Sequence, residues 1–327
     1  MRRSLKLSIV TSLYKSESYL DDFFRRAKNA AEQITNDYEI ILVNDGSPDG
    51  SLAKCKGYFE AGEPAHIVDL TRNHGHHVAL LAGMERARGD YVFLIDSDLE
   101  EDPELLVKFW EIMGQHPEVD VVLGMQRARK GSWSEKHFDG MFYTVFNALS
   151  DVPIQRNCTT VRLMRQRYVN HLCQFSESDV FLPGLVELAG YNQMAVPIDK
   201  GERGESTYNL SRKIAITLAG VTSFSAKPLE LIFVMGAMIS ALSFLGITWI
   251  IYAKLVLHQG ILGWTSVIVS VWLLGGLTLS SLGVIGIYVA RIFRQVKQRP
   301  RVLVREECIP AARPQIAPAK QKADAGA

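Results

Sequence analysis

Two long apolar stretches constrain this chain more than any other feature: Leu229 to Ala253, interrupted only by Glu230, and Ile261 to Ala290, which carries no charge. Each exceeds the ~20 residues a helix needs to cross the hydrocarbon core of a bilayer. The chain is therefore expected to span a membrane twice, with its chemistry built mainly from the residues before them. The net charge of +1 and the 47% hydrophobic content average over two unlike regions. Lys200, Arg203, Arg212, Lys213 and Lys227 precede the first stretch; Arg291, Arg294, Lys297, Arg299 and Arg301 follow the second. The connecting loop carries only Lys254 and His258, so the charge bias places both termini in the cytoplasm.

Within 208–228, Leu210, Ile214, Leu218 and Val221 recur at helical spacing, which fits either a helix lying on the membrane surface or one packed on the soluble domain. Residues 291–327 read as a basic tail, disordered after Pro310 where Ala, Pro, Lys and Gln dominate. Gly275, Gly276, Gly283 and Gly286 would permit close helix contact and a homo-oligomer, without fixing its size. The apolar run at the amino terminus is broken by Lys6, so it is expected to be a first strand rather than a signal peptide. Cys55, Cys158, Cys173 and Cys308 lack paired spacing, which argues for reduced structural thiols.

Strand and helix patterns alternate through the first half: strands at 6–13, 38–43, 66–70 and 91–95, helices at 19–34, 51–59 and 77–88, and a further strand at 120–124. That order predicts an α/β domain over 1–207 with a mostly parallel sheet covered by helices. Neither G-x-G-x-x-G nor G-x-x-x-x-G-K-[ST] is present, so a dinucleotide or P-loop site is not supported. No nucleic-acid partner is expected.

The fourth strand runs into Asp96, Asp98 and Glu100. If the chain stays extended there, alternation puts these carboxylates on one side, where they would suit Mg2+ or Mn2+ carrying a diphosphate. The plainer reading is a solvated acidic turn, since Asp102-Pro103-Glu104 is a good helix start. Asp45, in the turn after the second strand, either accepts from a nucleobase or ribose or simply shapes that turn. Arg72 is a candidate phosphate partner. The nearby His74, His76 and His77 lack the spacing of a helical metal pair and read as a polar rim. Arg127, Arg129 and Lys130 would receive a phosphate or form a solvated basic loop.

With these residues assembled, the chain resembles the family 2 glycosyltransferases of the GT-A fold, and within them the membrane-anchored polyprenyl-phosphate group. The motifs are VNDGSPDGS at 43–51, RNHGHHVALLAGM at 72–84, IDSDLEEDPE at 95–104, GESTY at 204–208 and GVIGIYVARIFRQVKQRPR at 283–301. The resemblance implies that Asp45 holds the uracil or ribose of a UDP-sugar and that Asp96 and Asp98 form the D-x-D metal motif. Glu100 stands where relatives carry a metal-binding Gln. Arg127 matches an arginine near the acceptor phosphate, and Arg203 with Ser206 matches the segment closing on the phosphates. The implied reaction is metal-dependent, inverting transfer from a UDP-sugar to a polyprenyl phosphate, such as undecaprenyl phosphate.

Some positions depart from the family pattern. Ser12 and Ser16 replace a usual Pro and Glu, Thr160 replaces an acidic residue, and Thr207 replaces a common Lys. The acceptor-side changes keep open a second acceptor, a sugar hydroxyl of a lipid-linked saccharide. That reaction needs a base, for which Glu177 and Asp179 are candidates. A non-catalytic membrane scaffold is a third reading.

Overall fold

The computed structural model describes residues 5–127, 157–177, 180–199, 201, 225–256 and 263–310. Strands β1 (Leu5–Leu13), β2 (Tyr38–Asn44), β3 (Ala65–Leu70) and β4 (Gly89–Leu94) alternate with helices α1 (Glu17–Glu32), α2 (Ser51–Glu60) and α3 (His76–Met84). Then come α4 (Leu105–Gln115), β5 (Val121–Gln126), β6 (Cys158–Arg165), α5 (Gln166–Leu172), α6 (Leu182–Leu188) and β7 (Gln193–Ile198). Two long helices, α7 (Lys227–Leu255) and α8 (Trp264–Val296), precede a last strand, β8 (Val304–Cys308).

The sheet runs β7-β5-β6-β4-β1-β2-β3-β8. Strands β1 to β4 are mutually parallel where they pair, and β5 pairs with β7 in the same sense. Strand β6 enters antiparallel between β4 and β5. The carboxyl ends of β1 to β5 and of β7 therefore share one edge, together with the start of β6. β2 and β3 are buried along their whole length, as strands covered on both faces must be.

One face packs Leu20, Phe23, Phe24, Phe93 and Phe109 beneath α1 and α4. The other packs Val10, Val43, Leu80, Leu94, Met164 and Tyr168 beneath α3, α5 and α6. Helix α3 sits close because Gly83 has no side chain; a Cβ there would lie 2.5 Å from Val10 Cγ1.

Both long helices keep their apolar side chains outside the core, with Phe233 76% and Trp272 79% exposed. Exposed apolar surface on this scale marks an interface, and both helices are long and apolar enough to cross a membrane. The end of α8 stays with the domain, and α8 holds the residue that precedes α7. Tyr288 Oη donates to the Ser225 carbonyl at 2.7 Å, Gln295 Nε2 to Ser176 O at 3.0 Å and Arg301 Nη1 to Phe175 O at 2.8 Å.

The return of β8 departs from the reading of everything after 290 as a tail. β8 pairs antiparallel with β3, and Glu307 reaches His66 Nε2 at 2.9 Å. A short strand with three charged residues at a sheet edge carries little apolar signal, which is why composition alone hid it. The stretch 208–224 and the end of the tail lie outside the described residues.

Candidate active site

Each strand along the shared edge delivers a polar group where regular pairing stops. At the end of β2, Asp45 is only 2% exposed. Its Oδ1 accepts the backbone N–H of His74 at 2.7 Å and its Oδ2 that of Gly75 at 3.0 Å. The turn after β2 and the loop after β3 are thus one unit. Gly46 makes this possible: its φ is +60°, and a Cβ would lie 2.5 Å from the Arg72 carbonyl carbon. Arg72 itself is exposed, its Nη1 donating only to Asn73 O at 3.2 Å.

The same loop begins α3, and His76 there stands between two strand ends. Its Nδ1 shares a hydrogen bond with Ser12 Oγ at 2.9 Å, and its Nε2 lies 3.3 Å from Asp96 Oδ1. Ser16 Oγ pairs with Ser97 Oγ at 2.9 Å, and Ser97 Oγ donates to Ser12 O at 3.1 Å. The two serines that depart from the family pattern therefore tie β1 to the acidic turn after β4. Sequence reasoning missed these partners because they are distant in the chain.

The acidic motif needs one correction. β4 ends at Leu94, and the chain turns through 97–100 with Leu99 at φ 60°. The extended geometry assumed for Asp96, Asp98 and Glu100 is absent, so strand alternation aligns none of the three. Instead, Asp98 Oδ1 accepts the Glu100 N–H at 3.2 Å. Among the described residues, no three His, Cys, Asp or Glu side chains are grouped to hold a metal. Asp96 and Asp98 still fit a hard cation of the kind held by one or two carboxylates and completed by substrate phosphates.

Arg127 follows β5 along the same edge and is exposed, its backbone N–H donating to Ile198 O at 3.2 Å. Gly201 N–H donates to Glu100 O at 2.8 Å, which sets Gly201 against the acidic turn. Arg203, Ser206, Thr207, Asp179, Arg129 and Lys130 lie outside the described residues. Glu177 is half-buried near Arg291 of α8; burial raises its pKa, opposed by that arginine. It sits beside the long helix.

The α3 side holds a further polar group that motif reading passed over. Arg162 on β6 is only 6% exposed, and beside it burial pushes the His77 imidazole down to about 4, with the neighbouring His76 and Arg162 charges acting in the same direction.

Relatives are similar to this chain in sequence over most of their length. A protein described as putative glycosyltransferases from Mycobacterium tuberculosis (strain CDC 1551 / Oshkosh) is 42% identical over 92% of this chain and 88% of its own. The SfII prophage-derived bactoprenol glucosyl transferase of Shigella flexneri is 30% identical over 92% of this chain and 98% of its own. Among solved structures, mannosyl-3-phosphoglycerate synthase from Rubrobacter xylanophilus aligns with a TM-score of 0.46 at 17% identity, covering 66% of this chain and 72% of that one. Residues 8–173, which hold Asp45, Arg72, Asp96, Asp98 and Arg127, match Glycosyl transferase family 2, and the chain belongs to that family of enzymes.

Proposed function

We propose that this enzyme transfers a sugar from a UDP-sugar to a polyprenyl phosphate at the membrane surface, with inversion at the anomeric carbon. The observation that carries the reading is one sheet edge bearing Asp45, Arg72, Asp96, Asp98 and Arg127, on a domain followed in the chain by two membrane-length helices. The bactoprenol glucosyl transferase relative supports the lipid acceptor.

Each residue then has a task. The unit formed by Asp45 and the 72–75 loop would frame the nucleoside, and Arg72 would meet phosphate. Asp96 and Asp98 would hold Mg2+ or Mn2+, which when bound neutralises charge on the departing diphosphate. Arg127, with Arg203 and Ser206 from the following segment, would hold the acceptor phosphate in line with the anomeric carbon. A phosphate acceptor is already ionised at neutral pH, so Asp179 and Glu177 need not act as bases.

The membrane arrangement follows the same line. Gln295 meeting Ser176, and β8 pairing with β3, hold the end of α8 on the domain, and Tyr288 meeting Ser225 holds the start of α7 beside that same helix, so the two ends of the two-helix segment lie together. Two crossings fulfil that condition, and the flanking basic residues favour the cytoplasmic side.

The test is a panel of UDP- and GDP-sugars offered to purified full-length protein with Mg2+ or Mn2+, with and without undecaprenyl phosphate. Nucleotide release that requires both metal and the lipid phosphate is expected. Release that instead requires a saccharide-bearing lipid, and is lost in Glu177→Gln or Asp179→Asn, would replace the acceptor with a sugar hydroxyl. No turnover with any pair would favour the scaffold reading.

A further inference from the structure

Beneath the candidate active site, a cavity of about 320 Å³ opens between α3, β6 and α6. Its size is near the lower end for small-ligand pockets, ~300–1,000 Å³, and suits a single ring rather than a chain.

Its polar groups are unusual for a fold interior. Arg162 spends Nε on Thr160 O at 3.1 Å and Nη2 on Thr159 O at 3.0 Å, while Nη1 is buried with no partner. A buried guanidinium nitrogen left unpaired is costly, so its retention calls for a ligand group. Gln193 donates Nε2 to Val186 O at 3.2 Å and leaves a buried Oε1 without a partner. Glu187 lines the same cavity, close enough for Arg162 to influence its ionisation, yet the two form no ion pair. Thr160, on the same face of β6 as Arg162, adds a hydroxyl, and Phe181 contributes to an apolar wall.

The cavity thus offers a donor at Arg162, acceptors at Gln193 and Glu187, and one group that can be either. Hydroxyls of a neutral sugar both donate and accept, whereas a phosphate or a uronate would face Glu187 with like charge. Position selects the sugar's source. Continuing the pairing of Leu94 with Arg162 sets Thr160 opposite Asp96, and His77 of the lining directly follows His76, which touches Asp96.

We propose that this cavity is the subsite for the neutral pyranose ring of the nucleotide-sugar donor, with Arg162, Gln193 and Glu187 meeting its hydroxyls. The assignment rests on the proposed donor class. It also gives Thr160 a meaning: without an acidic side chain there, Arg162 is free to serve the sugar.

The test compares binding of UDP, UDP-glucose, UDP-galactose, UDP-N-acetylglucosamine, GDP and GDP-mannose to full-length protein in detergent, by calorimetry with Mn2+. Wild type should bind one sugar nucleotide more tightly than its parent nucleotide. Arg162→Met, Glu187→Gln and Gln193→Leu should each weaken that sugar nucleotide about tenfold or more and change the parent nucleotide less than twofold. Glu187→Gln, at a partly exposed position, keeps the test valid if Arg162→Met fails to fold. Unchanged sugar-nucleotide affinity in folded variants, an effect confined to the acceptor's KM, or no sugar-dependent gain in wild type would overturn the subsite while leaving the transferase reading intact. Absence of any nucleotide binding by wild type would remove the donor class itself, and this assignment with it.

Discussion

The Asp45 carboxylate and the backbone N–H of His74 meet at 2.7 Å, joining the turn after β2 to the loop that starts α3. With the neighbouring Gly75 bond, this makes one rigid frame from two segments that motif reading treats as separate. Asp45→Ala would leave both amides without their carboxylate, at a cost of roughly 1–3 kcal/mol. A lower thermal midpoint and at least tenfold weaker nucleotide binding are expected. Asp45→Asn, which keeps one acceptor, should fall between.

Gly46 provides an independent check on the same frame. Alanine there must adopt φ +60° and place Cβ 2.5 Å from backbone of Arg72. The conformational penalty alone is about 1–2 kcal/mol, and the clash adds to it. Denaturant unfolding should show Gly46→Ala less stable by ~2 kcal/mol or more, with nucleotide affinity lost in parallel.

His77 sets a pH dependence. Burial holds its folded pKa at about 4, below the ordinary 6.5, so the folded state keeps it neutral while the unfolded chain takes up a proton. Its contribution is full above pH 6.5 and is lost as pH falls toward 4, by up to about 3 kcal/mol in all. Stability of wild type minus His77→Phe should therefore drop between pH 7 and pH 4.5 and stay level above pH 7, measured by thermal or denaturant unfolding.

Arg301 tests the return of the chain to the sheet. Its guanidinium reaches Glu85 Oε1 at 2.6 Å and Phe175 O at 2.8 Å, just before β8 covers the β3 edge. Arg301→Ala should cost roughly 1–3 kcal/mol. Amide exchange in 65–70 and 304–308 should rise together, since each strand protects the other.

How far this was legible beforehand follows the range of the physics. The alternation in β1 to β4 and the two long apolar helices are local signals, and they read correctly. So does the sheet edge: Asp45, Arg72 and Asp96 each stand just past a strand. Partner choice is not local. Nothing in the residues of β6 says that it pairs antiparallel between β4 and β5, and nothing in Ser12 names His76. The alignment of the three carboxylates failed at the turn over 97–100, to which side-chain alternation is blind. Arg162 carries no local signal of its role, which comes from its burial and its unpaired nitrogen.

The central claim is the chemistry at Asp96 and Asp98, and product analysis tests it most directly. Full-length protein is incubated with its preferred UDP-sugar, Mn2+ and undecaprenyl phosphate, alongside Asp98→Ala, and the lipid is examined by mass spectrometry. The account predicts a lipid heavier by one sugar, still carrying its single phosphate, dependent on metal and reduced at least 100-fold in Asp98→Ala, a loss typical of removing a group that stabilises transition-state charge. A sugar-bearing lipid formed equally well by Asp98→Ala or without metal, or no sugar-bearing lipid under any of these conditions, would contradict it.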